Sequence, residues 1–154
     1  MMSMPMPSPI DNLKIRLASV GNAVIETAAP EQMQKVFSPS DLRIQYAVSV
    51  IVNRPESRVD VIVSMSYVLV QEALFSGHLT TSFDVVDLSS YITTKEGEEE
   101  FHVEHDFFPM LINIAFGTTR GYFVNELQGT VLAPYPFPMI GLESIQKRTT
   151  YRLV

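Results

Sequence analysis

One long apolar helix constrains this chain more than any other feature. Residues 107–128 run FFPMLINIAFGTTRGYFVNELQ. Asp106 precedes the run and can cap its amino end, and Pro109 falls in the first turn, where a proline is tolerated. Gly129 lies just past the last good helix former, a usual stop position. About 20 residues rising about 1.5 Å each give a rod of roughly 30 Å. Met110, Leu111 and Ile114 point one way, while Ile112, Ala115, Phe116 and Phe123 widen the apolar surface past half the circumference. Such a helix must be covered on more than one side. In a chain of 154 residues, its own sheet covers one face and a second copy of the chain covers another.

A proline-aromatic strap follows. Residues 130–140 run TVLAPYPFPMI, with prolines at Pro134, Pro136 and Pro138. Alternating prolines forbid helix and remove backbone donors, so the segment is expected to be extended or polyproline-like. Tyr135, Phe137 and Met139 then point in similar directions. Two readings stand side by side: a rigid connector whose aromatics seal the core edge, or a peptide-binding surface of adaptable apolar groups.

Composition excludes several classes of function. Hydrophobic residues make up 46% and charged residues 18%. That is lean in charge for a monomer and fits extra burial between subunits. The net charge is −6, from 11 basic and 17 acidic residues. Phosphate backbones require a basic face, so nucleic acid is not an expected partner, and an anionic membrane surface is disfavoured. Cysteine is absent, which excludes disulfides, a thiol nucleophile and cysteine metal sites and is compatible with a cytoplasmic location.

Residues 1–9, MMSMPMPSP, lack the basic and continuous apolar regions of a targeting peptide. They read as a disordered or extended arm, and residues 10–154 as a single domain. No membrane insertion is expected. A spanning helix needs about 18 or more apolar residues, and Asn113, Thr118, Thr119 and Arg120 interrupt the long helix.

The middle of the chain alternates like β-structure. Leu42, Ile44, Tyr46, Val48, Val50 and Val52 share one face of a strand, with Arg43, Gln45 and Ser49 on the other. Residues 53–57 form a turn. Val59, Val61, Val63, Met65, Tyr67 and Leu69 are in phase over 58–70. A further strand ends near Leu88; its turn falls near Gln71–Glu72 or at Ser76–Gly77, and the latter has the stronger turn chemistry. Residues 13–28 read as an irregular first strand whose phase slips at Gly21–Asn22, as a bulge would cause. Residues 29–40 form a long crossover between Pro30 and Pro39. The expected fold is α+β: a four-stranded antiparallel sheet, extended by a C-terminal strand if TTYRLV follows its strand preference, with the helix packed on one face.

The order of these segments resembles the SecB family of protein-export chaperones. The resemblance rests on Glu26-Thr27-Ala28-Ala29-Pro30 closing the first strand and on Phe107-Phe108-Pro109 opening the helix. It rests also on Arg120 inside the helix and on Gly129 followed by Leu132-Ala133-Pro134. It covers roughly residues 15–145 and is most specific over 107–140. It implies a holdase that binds non-native polypeptides in apolar grooves without ATP or cofactor. It also implies a homo-oligomer, dimer or tetramer, associated through the long helices. In that picture Met33, Val36, Phe37, Tyr135, Phe137 and Met139 contact the client. Ile114, Ala115, Gly117, Thr118 and Gly121 form the oligomer interface, where small residues let helices approach closely. Glu26 contacts the export translocase motor. The chain departs from the family pattern after the proline element, where residues 141–154 are short, and at Ser76-Gly77-His78-Leu79, which carries no acid. A module of the same fold dedicated to one partner, without an export role, is the alternative.

The remaining polar clusters read as structural. Glu96, Glu98, Glu99, Glu100, His102, Glu104, His105 and Asp106 form an acidic run with two histidines. A metal site would need three or four converging ligands, to which His102 and His105 on one face could contribute, and a small-ligand or metal-binding domain centred on 96–106 is a trailing alternative. Acids at a helix start more simply suit solvation and the helix dipole. The run is therefore expected in a loop or helix start. His78 reads as a surface or interface residue. Arg120 needs a carboxylate or carbonyl partner. No serine sits in a nucleophile elbow and no glycine-rich phosphate loop is present, so neither enzyme chemistry nor a cofactor is expected.

Overall fold

The computed structural model describes residues 15–29, 41–94, 101–103 and 107–154. The expected N-terminal arm, the crossover with Met33, Val36 and Phe37, the Asp106 cap and most of the acidic run lie outside these residues.

The fold is α+β, with a long helix packed on one face of a five-stranded sheet. Strands β1 (Ile15–Thr27), β2 (Leu42–Asn53), β3 (Arg58–Leu69) and β4 (Glu72–Val85) are followed by a 3-10 turn at Leu88–Tyr91. Short strands β5 (Ile92–Thr94) and β6 (Phe101–Val103) then pair antiparallel. Helix α1 (Phe107–Glu126), helix α2 (Leu142–Lys147) and strand β7 (Thr149–Leu153) complete the chain. The sheet order is β1-β4-β3-β2-β7. The first four strands are antiparallel to their neighbours, and β7 joins β2 in parallel. The sheet is therefore mixed: the chain must cross back through α2 before adding its last strand. His102 lies in β6 rather than in a loop.

Alternation explains the central strands. Val48, Val50 and Val52 of β2 are at most 1% exposed, as are Val59, Val61, Val63, Met65 and Tyr67 of β3. Their neighbours in sequence face the open side of the sheet. The turn after β2 forms at residues 54–57 as expected. The Glu56 N–H donates to Asn53 Oδ1 at 3.2 Å, and Ser57 takes a positive φ of 49°.

The turn after β3 takes the first of the two expected places, beside Gln71–Glu72, and not Ser76–Gly77 with its stronger turn chemistry. It falls at Val70–Gln71, with Val70 at φ 58°. Ser76 and Gly77 lie inside β4 instead, opposite Ser66 and Met65. Gly77 is needed for close packing: a Cβ there would lie 2.8 Å from the Val24 carbonyl oxygen and 3.0 Å from Phe123 Cζ. Its glycine serves a ring, not a turn. The register also skips Leu74 between the pairs Val68↔Ala73 and Tyr67↔Phe75, and this extra residue is fully buried.

The expected bulge in β1 is present. Gly21 pairs with Thr80 and Val24 with His78, so Asn22 and Ala23 share one opposing residue, with Asn22 at φ 52°. A second irregularity lies between Leu17 and Ser19. The two slips explain why the phase of this strand could not be read continuously.

Helix α1 buries Phe107, Phe108, Leu111, Ile112, Ala115, Phe116, Thr119 and Phe123 against the sheet. Each large apolar side chain so buried contributes roughly 1.5–3 kcal/mol. Leu111 and Ile114 do not share a face. Leu111 is buried, whereas Ile114 points outward with Asn113 and Gly121. The helix ends at Glu126, and Gly129, at φ 81°, turns the chain away.

Candidate functional site

The strap opens in a turn. The Ala133 N–H donates to Thr130 O, and the Tyr135 N–H to Leu132 O at 2.9 Å. The Thr130 hydroxyl donates to Leu127 O at 2.7 Å and accepts from the Leu132 N–H. Residues 136–140 leave this turn and belong to no helix or strand. The expectation of a continuously extended strap fails because Gly129 and the Thr130 hydroxyl organise a compact turn first.

Tyr135, Phe137 and Met139 are consequently divided. Phe137 is buried at 3% exposure, edge-on to Tyr46, Tyr67 and Phe116 with centroids 6.1–6.3 Å away. Tyr135 is half-buried, and its carbonyl accepts the Tyr67 phenol at 2.7 Å. Burial pushes the Tyr67 phenol up to about 12, so it stays protonated and donating. Met139 is 86% exposed. Phe137 and Tyr135 thus lock the strap to the core, and Met139 is the member of the trio that reaches solvent.

Helix α1 presents the predicted small residues in two directions. Ile114 is 42% exposed, Gly117 and Thr118 are half-exposed and Gly121 is exposed. A Cβ at Gly117 or Gly121 would meet nothing within 4 Å. These four positions form one outward stripe at helical spacing. Ala115 is separate from them. It is fully buried on the sheet side, because it lies about 100° around the helix from Ile114, so it packs within its own protomer. Arg120 is half-exposed and has no ion pair among the described residues.

Glu26 lies on the open face of the sheet. It pairs with Ser76, while Val24 pairs with His78 and Ser64 and Ser66 follow on β3. With Gln45 these groups line a shallow concavity of about 650 Å³. Other carboxylates on this face are neutralised elsewhere: Asp84 pairs with Arg16 at 2.7 Å and Asp60 with Arg58 at 3.3 Å. The concavity therefore holds one acid, Glu26, and one guanidinium, Arg148, among hydroxyls, an amide and an imidazole, a mixed polar surface rather than an acidic patch. Among the described residues no three His, Asp or Glu converge as metal ligands, and no helix is long and apolar enough to cross a membrane.

Sequence reasoning missed the exposed edge of the sheet. Among the described residues, β1 is bonded on one side only, to β4. It exposes Leu17, Val20 and Val24 at 45–53%. Their apolar types were legible, but edge position is a property of pairing order. No protein family matches this chain, and no curated protein matches it either.

Proposed function

We propose that this chain is a SecB-like holdase: a homo-oligomer that binds non-native polypeptides on apolar surface. The observation that carries the reading is apolar surface left open on a finished fold. The core is closed, yet Leu17, Val20 and Val24 on β1, Ile114 and Tyr122 on α1, and Met139 on the strap remain exposed. Apolar groups grouped on particular elements mark association surfaces. In this reading the outward stripe Ile114–Gly117–Thr118–Gly121 and the β1 edge join copies of the chain into a dimer or tetramer. Met139 and the crossover with Met33, Val36 and Phe37 meet the client, and its flexible thioether suits varied sequences. Phe137 and Tyr135 shape this surface from beneath. Glu26 is the contact for the translocase motor, in a setting with little other negative charge.

The burial of Phe137 favours a second reading, a SecB-fold module dedicated to one partner without an export role. It would associate with itself in the same way and ignore generic clients.

Light scattering during titration with a permanently unfolded model polypeptide separates the two. The holdase reading expects an oligomer whose mass rises on saturable micromolar binding. An oligomer that ignores the unfolded chain selects the dedicated module. Gly121→Leu is expected to lower the oligomer mass in both readings, and an unchanged mass would remove the helix interface.

A further inference from the structure

Strand β7 differs from every other strand of the main sheet. It is five residues long, from Thr149 to Leu153. It pairs in parallel, from Val48↔Thr149 to Val52↔Leu153, at the edge opposite β1. Parallel pairing is slightly weaker per residue. Only Thr149 and Leu153 are half-buried, while Thr150, Tyr151 and Arg152 are exposed. Beside it, its partners Val48, Val50 and Val52 of β2 are at most 1% exposed with β7 in place. Backbone hydrogen bonds close both its ends: Val48 N–H donates to Arg148 O at 3.1 Å, and Val154 N–H to Val52 O at 2.8 Å. Upstream, Ile145 of α2 is 1% exposed, and the Arg148 guanidinium lies 5.1 Å from the Tyr46 ring centroid.

The geometry points to the outer edge of β2 as a strand-addition site for an extended polypeptide segment, occupied here by the chain's own C-terminal residues. The seated tail shows what the edge accepts. Thr149, Tyr151 and Leu153 alternate toward α1, where the Tyr151 ring meets Phe108 edge-on at 6.1 Å and Leu153 packs on the core. Thr150 and Arg152 point the other way. The fitting partner is an extended segment with a small, an aromatic and an aliphatic residue at alternate positions and polar residues between. It adds parallel to β2. Ladder hydrogen bonds supply affinity, and the alternate side chains supply preference. The tail competes from within the same molecule, at an effective concentration of the order of millimolar. A free segment therefore gains the edge only when the tail is loosened. This deepens the client-binding reading by giving it a backbone-mediated site, and the two can fail separately.

The chain has no cysteine, so Ser49→Cys/Thr150→Cys places its only thiols at paired positions of β2 and β7. A fluorescein-labelled peptide of residues 148–154, RTTYRLV, is the probe. In the oxidised protein the tail is tied down; in the reduced protein it is not. Arg152→Pro separately removes a β7 N–H and unseats the tail. The expected result is binding about 10-fold tighter to Arg152→Pro than to wild type, and about 10-fold weaker to the oxidised pair than to the reduced pair. Equal binding to the oxidised and reduced pairs overturns the proposal, as does no saturable binding by either the reduced pair or Arg152→Pro. Binding of an unfolded polypeptide is measured on the same samples. If it persists while the probe fails, the edge site alone is rejected; if it is absent while the probe binds, the holdase reading is rejected.

Discussion

The ring of Phe123 fills the space that a side chain at Gly77 would occupy. A Cβ at Gly77 would lie 3.0 Å from Phe123 Cζ and 2.8 Å from the Val24 carbonyl oxygen. The same ring meets Phe75 edge-on at 5.3 Å. Helix α1, β4 and β1 therefore close on one another at a single glycine. Gly77→Ala is expected to destabilise the fold by roughly 1–3 kcal/mol, because the ring and a strand backbone must both shift. Urea unfolding checks this. Combining it with Phe123→Leu should recover only part of the loss, since the Val24 carbonyl remains in the way. An unchanged midpoint in Gly77→Ala would show that the helix does not seat there.

Tyr67 ties the strap to the core and should make stability depend on pH at the alkaline end. Its phenol is held up to about 12 by burial, whereas an unfolded tyrosine titrates near about 10. Between these values the unfolded chain releases the proton and the folded chain keeps it. The unfolded state then binds fewer protons, so stability falls as pH rises. The contribution is full below about pH 10 and lost by about pH 12, at about 2–3 kcal/mol. Burial shifts Tyr151 in the same direction, adding to the fall. Tyr67→Phe should cost about 1 kcal/mol at neutral pH through the lost hydrogen bond. It should also flatten the alkaline fall, leaving the part due to Tyr151. An identical pH profile in the variant would count against this account.

Thr81 offers a stabilising change. It is fully buried among apolar side chains, and its hydroxyl has no hydrogen-bond partner among the described residues. Thr81→Val keeps the shape and removes the unsatisfied group. A gain of about 1 kcal/mol in denaturant unfolding is expected. A loss would show that the hydroxyl is satisfied in solution.

Phe137 and Met139 stand two residues apart with opposite roles. Phe137→Ala should cost about 3–5 kcal/mol and free the strap, because the ring touches three others in the core. Met139→Ala should leave stability within about 0.5 kcal/mol and weaken binding of an unfolded polypeptide several-fold. Thermal unfolding and fluorescence titration together check the pair. The reverse pattern would place the client elsewhere.

The stretches legible in the sequence are those in which local pattern and tertiary burial coincide. The alternation of β2 and β3 placed their core faces residue by residue, and helix α1 ended where its glycine predicted. The bulge near Gly21 was legible because a slip in phase has few other causes. Between its two candidate turn sites the sequence favours Ser76-Gly77 over the one that forms, because glycine serves both turns and close packing. The Phe123 ring that distinguishes them comes from a helix much later in the chain. Of the candidate site, Met139 and the outward stripe of α1 emerged as exposed, whereas Phe137 and Ala115 turned inward.

By itself, the sequence determined β1 to β3, most of β4, the last strand and the long helix, because side-chain periodicity repeats within a few residues and needs no distant partner; the short elements β5, β6 and α2 carry too few residues to show one. Only the tertiary structure decided what each face packs against and, among the described residues, which edges stay open. It also decided that β7 joins β2 in parallel. Those choices depend on contacts between residues far apart in the chain: Gly77 with Phe123, Tyr67 with the Tyr135 carbonyl, and Ser49 with Thr150. Periodicity groups residues onto a face but does not name what that face will touch.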